Sequence, residues 1–335
     1  MNGCARCSQT AKTACTRFGH VLLIACAACA AAAAHAQSFP TRPVRFVVPY
    51  PPGGSNDILA RLIVPKMSEQ LGHNVVVDNR GGANAIIGSE IVAKAVPDGH
   101  TILIIGGSHV INPSVYPKLP YDTARDFAPV ALLGDGSYAL VSHPPLGLAS
   151  AADLIALVRS KPGQIVYASS GMGNLTHLAA ELFNSLAGTR MLHVPYKGGN
   201  PAMLDLIGGR VAVSFSTVAV ARPHIQSGRI TALGVTTARR SQILPNTPTI
   251  AESGLPGYEV SGWYGLVAPA ATPKAAIARL HGAVTSALAQ PETRDKLLAS
   301  GIEVVDHTTA QFARRIDAEL ARWEKIVKPL RIAPE

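Results

Sequence analysis

The chain has 335 residues, of which 47% are apolar and only 15% are charged. It therefore has enough apolar side chains for a sizeable core and lacks the composition of a disordered chain. Its net charge is +9, but the basic residues are scattered and aromatic residues make up only 5%. Because a nucleic-acid-binding protein concentrates its basic residues in a patch or stripe, the sequence gives no support to that function.

All five cysteines lie within the first 29 residues of the chain. They are Cys4, Cys7, Cys15, Cys26 and Cys29. A disulfide framework, a zinc site built from thiolates and a cysteine nucleophile are therefore excluded from the rest of the chain.

Residues 1–36 are predicted to be an export signal. A basic stretch precedes an apolar run from Val21 to Ala34, and Ala34-His35-Ala36 fits a small-residue cleavage site. The run is too short to span a bilayer, so we expect a mature periplasmic chain that begins at Gln37. A short buried helix and a lipoprotein attached through Cys26, where Leu23-Ile24-Ala25-Cys26 resembles a lipobox, are the alternatives.

After the signal, short β-rich runs alternate with helical patterns, which is typical of a largely parallel α/β fold. The strands predicted first are Val44–Tyr50, Asn74–Asn79, Thr101–Ile105 and a run around Tyr138–His143. The helices among them are Ser55–Leu71, which ends at Gly72, then Ile86–Ala95, and one that begins at a capping box from Ser150 to Asp153.

A second series of the same kind follows. Its predicted strands are Gln164–Ala168, Met191–Tyr196, Val211–Ser216 and Ile230–Thr236, and its helices are Leu175–Ala187, Ala202–Ile207 and a short one ending at Gln226. A loop-rich stretch then leads to a strand at Trp263–Ala268 and helices from Pro273 to Val327. Because no linker divides the series, we expect two α/β lobes with a ligand cleft at the carboxyl ends of their strands.

Turns that carry glycine between a strand and a helix are the candidate ligand-binding segments. The first is Tyr50-Pro-Pro-Gly-Gly-Ser-Asn-Asp57. Gly53 and Gly54 allow backbone N–H groups to approach a ligand, and the helix N-terminus adds partial positive charge. An ordinary turn, with Ser55 as the N-cap and Asp57 beside the helix dipole, explains the same residues.

The second turn is Ser169-Ser170-Gly171-Met172-Gly173-Asn174, which lies just before His177. It resembles a phosphate-binding loop, but Thr176 stands in place of the third glycine. No acidic residue follows at the distance that would bind a ribose, so a dinucleotide is not expected. Capture of a small anion remains open, as does a purely structural role for His177.

Two further turns are Pro195-Tyr196-Lys197-Gly198-Gly199-Asn200-Pro201 and Asn79-Arg80-Gly81-Gly82-Ala83-Asn84. Tyr196 and Lys197 could line a cleft, although Lys197 could equally be a solvated surface charge. Several such turns at strand ends together favour ligand capture more strongly than any one of them.

Recognisable catalytic and metal-binding motifs are missing from the sequence. Gly106-Gly107-Ser108-His109 lacks the closing glycine of a nucleophile elbow. The histidines have no metal-binding spacing, and there is no calcium-binding loop. We therefore expect no catalytic residue, no metal and no cofactor.

Five motifs in chain order resemble the Bug family, the periplasmic solute receptors of tripartite tricarboxylate transporters. They are VPYPPGGSNDILAR, NRGGANAIIGSEIVAKAVPDGHTIL, YASSGMGNLTHLAAELF, HVPYKGGNPAMLDLIGGRV and LPNTPTIAESGLPGYE, followed by WYGLVAPAATP. The resemblance implies a type II periplasmic-binding-protein fold, in which two α/β lobes joined by crossing strands close on a small carboxylated solute. We expect residues 37–140 and 238–335 to form lobe 1 and residues 141–237 to form lobe 2.

The resemblance also implies which residues hold the carboxylate. On one lobe they are Pro52, Gly53, Gly54 and Asp57; on the other they are Ser169, Ser170, Gly171, Gly173, His177, Tyr196, Lys197 and Gly198. Two positions depart from the family, since Ala85 replaces a usual glycine and Ala212 a frequent aspartate. Ligand choice is expected to depend on variable loops such as Ile111–Tyr121 and Trp263–Gly265.

The sequence thus predicts a monomeric, non-catalytic periplasmic receptor. It would deliver a di- or tricarboxylate, an acidic amino acid or an aromatic carboxylate to the integral-membrane permease subunits of a transporter. A secreted α/β hydrolase acting on a carboxylated substrate is the alternative, and it would need a nucleophile–base pair or a metal. A receptor that reports to a sensor would differ only in its partner.

Overall fold

Two β-sheets organise the part of the chain that the computed structural model describes, residues 39–330. The predicted export signal, its cleavage site and all five cysteines lie outside these residues. The strands are β1 (Val44–Val48), β2 (Val75–Asn79), β3 (Thr101–Gly106), β4 (Phe127–Gly136), β5 (Tyr138–Ser142), β6 (Val166–Ser169), β7 (Leu192–Pro195), β8 (Val213–Thr217), β9 (Thr231–Val235), β10 (Gly262–Pro269) and β11 (Ile302–Glu303).

The α-helices alternate with these strands and cover the sheets. They are α1 (Ser55–Leu71), α2 (Ile86–Ala93), α3 (Gly107–Val115), α4 (Ala151–Ser160), α5 (Leu175–Ala187), α6 (Gly199–Ile207), α7 (Val218–Gln226), α8 (Lys274–Ala289), α9 (Pro291–Ala299) and α10 (Thr309–Leu330). None of the helices in the described residues is both long enough and apolar enough to cross a membrane.

The first sheet has the strand order β11-β4-β10-β3-β1-β2. β1 is parallel to β2 and β3, whereas β10 is antiparallel to β3 and β4. The apolar residues of β1 and every residue of β10 are buried, because helices pack on the sheet, as is usual where parallel strands are central. α1 packs against α8, and α10 packs against α3 and β4.

The second sheet has the order β7-β6-β8-β5-β9. β6 is parallel to β7 and β8, and β5 is antiparallel to β8 and β9. The chain enters this sheet through Ser137 and returns to the first sheet between β9 and β10. The lobe boundary expected after residue 140 falls inside β5. Each lobe consists of one sheet and the helices that flank it.

Local signals at two helix ends are confirmed. The Ser150 hydroxyl accepts a hydrogen bond from the Asp153 N–H, and the Asp153 carboxylate accepts one from the Ser150 N–H, which completes the capping box of α4. Gly72 ends α1 in the left-handed conformation, at φ = 72°, with its N–H donating to the Ser68 carbonyl. α3 and β4 lie where the sequence pattern predicted no element.

Candidate ligand-binding cleft

A cleft of about 640 Å³, including its open mouth, lies between the two lobes. Its lining residues come from the strand–helix turns of both lobes and from the strands beneath them. They are Tyr50, Pro51, Pro52, Gly54, Ser55, Asn56, Gly106, Gly107, Ser108, Tyr138, Ser170, Asn174, Leu175, Thr176, Gly198, Gly199, Asn200, Pro201, Thr217, Val220, Trp263 and Tyr264.

Five helices begin at the wall of this cleft. Their N-cap residues, Gly54 (α1), Gly106 (α3), Asn174 (α5), Gly198 (α6) and Thr217 (α7), all line it. The first N–H groups of a helix have no acceptor inside the helix, and the helix dipole makes this end partially positive. Among the described residues that line the cleft there is no Asp, Glu, Lys, Arg or His. The arrangement therefore suits a small anion held by backbone N–H groups and hydroxyls.

The first predicted turn is held in place by Asp57 from behind. The Asp57 carboxylate accepts hydrogen bonds from the Gly53 N–H at 2.8 Å, from Arg61 Nε at 2.9 Å and from Asn79 Nδ2 at 3.0 Å. Burial would raise the pKa of Asp57, but the hydrogen bonds from Arg61, Gly53 and Asn79 outweigh burial and hold this pKa below its usual value. Asp57 thus fixes the loop and does not line the cleft.

Gly53 lies where the two lobes approach each other closely. Its φ is 80°, and a Cβ atom at this position would lie 2.5 Å from Nδ2 of Asn200 in the other lobe. The Asn200 amide donates to the Pro52 carbonyl at 3.2 Å. A side chain at position 53 would therefore be strained at this φ and would displace the Asn200 amide from its bond to the Pro52 carbonyl.

The second predicted turn is supported by a pair of histidines, of which His177 is buried and His193 is partly buried. The Ser169 hydroxyl lies 2.7 Å from Nε2 of His193, and the Gly173 N–H donates to Nδ1 of His177 at 3.0 Å. The two imidazole rings stack with centroids 4.0 Å apart. Burial lowers the pKa of His177 to about 3 and that of His193 to about 4, so both rings are neutral at physiological pH.

Asn174 links the two lobes at the inner end of the cleft. Its Nδ2 lies 2.8 Å from the Ser108 hydroxyl, 3.4 Å from the Tyr50 hydroxyl and 3.2 Å from Oδ1 of Asn84. The Tyr50 hydroxyl donates to Ser108 Oγ at 2.9 Å, and burial raises the pKa of Tyr50 to about 12, which keeps the hydroxyl protonated. A further bond between the lobes, from the Tyr116 hydroxyl to the Met172 carbonyl, measures 3.1 Å.

The turn after β2 presents Asn84 to the other lobe from a strained segment. Ala83, Asn84 and Ala85 have φ values of 46°, 49° and 73°. Such left-handed conformations cost residues with a side chain about 1–2 kcal/mol each. Buried Asn112 holds the segment, because it accepts a hydrogen bond from Asn84 Nδ2 at 2.8 Å and donates to the Asn84 carbonyl at 2.9 Å.

The predicted site residues separate into three groups. Those that line the cleft are Pro52, Gly54, Ser170 and Gly198; those that belong to the same turns without lining it are Gly53, Asp57, Ser169, Gly171, Gly173 and His177. Tyr196 and Lys197 form the third group. The Tyr196 hydroxyl donates to Asp205 at 2.7 Å, and Lys197 is exposed. In the expected variable loops, Trp263 and Tyr264 line the cleft, whereas no residue of Ile111–Tyr121 does.

Several lining residues were not predicted. Gly106, Gly107 and Ser108 carry the same strand–glycine–helix signal as the other turns, and that signal could have found them. Asn56, Asn174 and Asn200 are lining residues inside predicted turns. Tyr138 and Thr217 come from strand ends, where no local pattern marks a contact with ligand.

Comparison with known proteins places the chain in a family. A model described as tripartite tricarboxylate transporter family receptor matches residues 59–332. The chain belongs to this receptor family. Protein BugT of Bordetella pertussis (strain Tohama I) is 36% identical over 293 residues, which are 87% of this chain and 90% of BugT. The expected membership of the Bug family is confirmed.

Two solved structures resemble this receptor closely. R. palustris Rpa4515 with adipate has a TM-score of 0.86 and 38% identity, covering 89% of this chain and 100% of that chain. MatC (Rpa3494) from Rhodopseudomonas palustris with bound malate has a TM-score of 0.82 and 33% identity, covering 86% and 100%. The predicted two-lobed α/β receptor fold is confirmed, and nothing among these relatives supports the hydrolase alternative. The described residues contain no group of three or more His, Cys, Asp or Glu side chains that could hold a metal ion.

Proposed function

We propose that this receptor captures a small organic carboxylate between its lobes and releases it chemically unchanged. The observation that carries this proposal is the meeting of five helix N-termini around a cleft in whose lining, as far as residues 39–330 form it, no side chain is charged. Backbone N–H groups there can hold a carboxylate without any Lys or Arg. The related receptors solved with adipate and with malate support a carboxylate as the ligand class.

Within the cleft, we place the carboxylate between the Pro52–Gly54 turn of the first lobe and Ser170 and Gly198 of the second. In this proposal Asp57, Ser169 and His177 do not contact the ligand. Their hydrogen bonds hold the turns in position. Lys197 is exposed and outside the cleft lining, so we assign it no contact with the ligand.

Membership of the family supports a proposal for the partner and the location. A receptor of a tripartite tricarboxylate transporter hands its solute to the integral-membrane permease subunits, and we propose the same for this chain, acting as a monomer. We also propose export to the periplasm with cleavage after Ala36. Intact-mass measurement of periplasmic material tests this step, because a chain starting at Gln37 contains no cysteine.

A thermal-shift screen of mono-, di- and tricarboxylates tests the proposed function. A ligand that binds only the folded receptor at a hundredfold excess over Kd adds about 2.7 kcal/mol to the free energy of unfolding. At least one carboxylate should raise the melting temperature and be recovered unchanged by mass spectrometry. If no acid of the panel raises the melting temperature, the carboxylate assignment is contradicted. If a ligand is chemically converted, the receptor function is contradicted.

A further inference from the structure

One end of the second lobe carries a row of exposed basic side chains. The strands β6, β7, β8 and β9 all run in one direction, and each follows a helix, so the four helix–strand connections lie together at the start of these strands. The cleft lies at the opposite end, where Ser170 and Thr217 line it. Each connection contains one Lys or Arg and no Asp or Glu. These residues, which form the basic end of the lobe, are Lys161, Arg190, Arg210 and Arg229.

Backbone contacts hold the four connections side by side. The Gly163 N–H donates a hydrogen bond to the Arg190 carbonyl at 2.9 Å, which joins the first two connections. At the other side of the sheet, Thr231 pairs with Ser142 across β9 and β5. Neighbouring strands lie about 4.8 Å apart, so in the order β7-β6-β8-β5-β9 the row spans about 19 Å from Arg190 to Arg229.

Little of this positive charge is neutralised by the protein. Arg210 pairs with the Asp205 carboxylate, whereas within residues 39–330 the other three basic side chains of the row have no carboxylate partner. The helices α4, α5, α6 and α7 end here, and each helix C-terminus carries about half a negative charge. One full positive charge at each helix end exceeds that half charge, so the basic end stays positive.

The corresponding connections of the first lobe differ. The connection between α1 and β2, residues 72–74, contains no Lys or Arg. In the connection between α2 and β3, Lys94 bonds to Glu90 at 2.6 Å and Asp98 bonds to Arg42 at 2.8 Å. A helix–strand connection therefore does not by itself require an unpaired cation.

Two exposed leucines lie at the same end as the basic row. Leu192 begins β7 and is 55% exposed, and Leu146 lies in the short turn after β5 and is 36% exposed. Exposed leucines are unfavourable in water, but at the surface of an anionic bilayer they can enter the boundary of the acyl chains. The Arg and Lys side chains around them can meet the lipid phosphates, which guanidinium groups bind in pairs of hydrogen bonds. A lipid surface thus suits both kinds of side chain at once.

We propose that the basic end and its two leucines bind the anionic headgroups of a lipid bilayer. This interaction is separate from carboxylate binding, because the basic end and the cleft lie at opposite ends of the same strands. Attachment there keeps the receptor at the membrane that holds its proposed permease partner and leaves the cleft clear of the bilayer.

Co-sedimentation of the mature receptor with lipid vesicles tests the proposal. The receptor should bind vesicles of phosphatidylcholine mixed with phosphatidylglycerol at low ionic strength and should not bind vesicles of phosphatidylcholine alone. High salt should release it, because salt screens the attraction between exposed charges. Lys161→Gln/Arg190→Gln should lower the partition coefficient about 25-fold, at about fivefold for each cation near the surface.

Lys118→Gln/Lys274→Gln is the matched control, because it removes the same charge from exposed positions of the first lobe. It should change the partition coefficient by less than about twofold. Lys161→Arg/Arg190→Lys keeps the charge and should bind vesicles like the wild type, which shows whether a loss in the Gln variant comes from charge and not from misfolding. All three variants should keep the wild-type melting temperature and the wild-type Kd for a carboxylate.

Four results would overturn the membrane assignment. They are no binding to phosphatidylglycerol vesicles at low salt, equal binding to phosphatidylcholine alone, equal losses in the two Gln variants, and binding to polyglutamate without binding to vesicles. The last result would assign the basic end to an acidic protein instead. None of them affects the proposed carboxylate function, which the thermal-shift screen tests separately.

Discussion

At the scale of single residues, two adjacent serines have opposite surroundings. Ser170 lines the cleft, whereas Ser169 is fully buried and bonded to His193 and Gly171. Ser170→Ala should raise Kd for a carboxylate about ten- to hundredfold, since a hydrogen bond to a charged group is worth about 1.5–3 kcal/mol. Its ligand-free melting temperature should hardly change, because no buried partner is left unpaired.

Ser169→Ala is the control for this substitution. It should lower the free energy of unfolding by about 1–3 kcal/mol, because the His193 ring nitrogen and the Gly171 N–H lose their partner. Calorimetric Kd and ligand-free melting of both variants separate the two effects. Unchanged affinity in Ser170→Ala would remove this residue from the site.

Ala85 occupies a conformation that favours glycine. At φ = 73° its side chain is strained. Ala85→Gly should release about 1–2 kcal/mol of strain, partly offset by the greater freedom of glycine in the unfolded chain, for a net gain of up to about 1 kcal/mol. Ala278→Gly, in the exposed middle of α8, should instead destabilise by about 0.5–1 kcal/mol. Denaturant unfolding measures both changes, and destabilisation by Ala85→Gly would contradict the strain.

At the scale of elements, the start of α1 depends on the ionised form of Asp57. Because hydrogen bonds from Arg61, Gly53 and Asn79 outweigh burial, the folded state holds the pKa of Asp57 below its usual value of 3.8. The stabilisation is therefore complete well above pH 3.8 and is lost as the pH falls through the folded-state pKa. We expect Asp57→Asn to lower the free energy of unfolding by about 1–3 kcal/mol at pH 6 and by progressively less below pH 3.8. Acid titrations of stability for both proteins measure this, and a difference that stays constant with pH would contradict it.

Elements that carry their own local signals were predictable from the sequence. The capping box at Ser150, the glycine stop at Gly72 and the apolar run of β1 each depend on near neighbours in the chain. α3 was not predictable, because its sequence GSHVINPSV contains glycine, β-branched residues and Pro113, all poor helix formers. It forms because its side chains are buried against the sheet and α10.

β4 was not predictable either, because it contains a proline, a residue that disfavours strands. Pro129 lies in the strand FAPVALLGDG and pairs with Val267 where the register between β4 and β10 shifts. Proline is tolerated in a sheet at such irregular positions, since it cannot donate to a regular ladder. The pattern of apolar residues alone does not reveal the shift, because it depends on a partner strand more than 130 residues further along the chain.

At the scale of the whole molecule, the cleft forms between the two lobes, where the strand ends of both sheets meet. The glycine turns were predictable because each lies at the end of a strand, and strand ends share one edge of a sheet. Which of their residues line the cleft and which support it from behind was not predictable. Asp57 and His177 point away from the cleft through hydrogen bonds to Gly53 and Gly173, and the spacing of residues does not encode those directions.

Closure of the lobes should contribute to affinity through contacts that never touch the ligand. The Tyr116 hydroxyl of the first lobe donates to the Met172 carbonyl of the second, and neither residue lines the cleft. The proposed function has the ligand bound in the closed state, and Tyr116→Phe removes one hydrogen bond from that state. The variant should therefore shift the receptor toward separated lobes and raise Kd by the free energy of that bond. That is about 0.5–1.5 kcal/mol, or two- to tenfold. The change should lie mainly in a faster dissociation rate.

Tyr258→Phe is the comparison that separates closure from folding. The Tyr258 hydroxyl donates to the Ala179 carbonyl at 2.9 Å, and the residue is 1% exposed in the core. Losing this buried bond, while the Ala179 carbonyl keeps its partner inside α5, should lower the free energy of unfolding by about 0.5–1.5 kcal/mol and leave Kd nearly constant. Stopped-flow dissociation and denaturant unfolding on both variants test the distinction. If Tyr116→Phe released ligand at the wild-type rate, the contact between Tyr116 and Met172 would have no part in holding the lobes closed over their carboxylate.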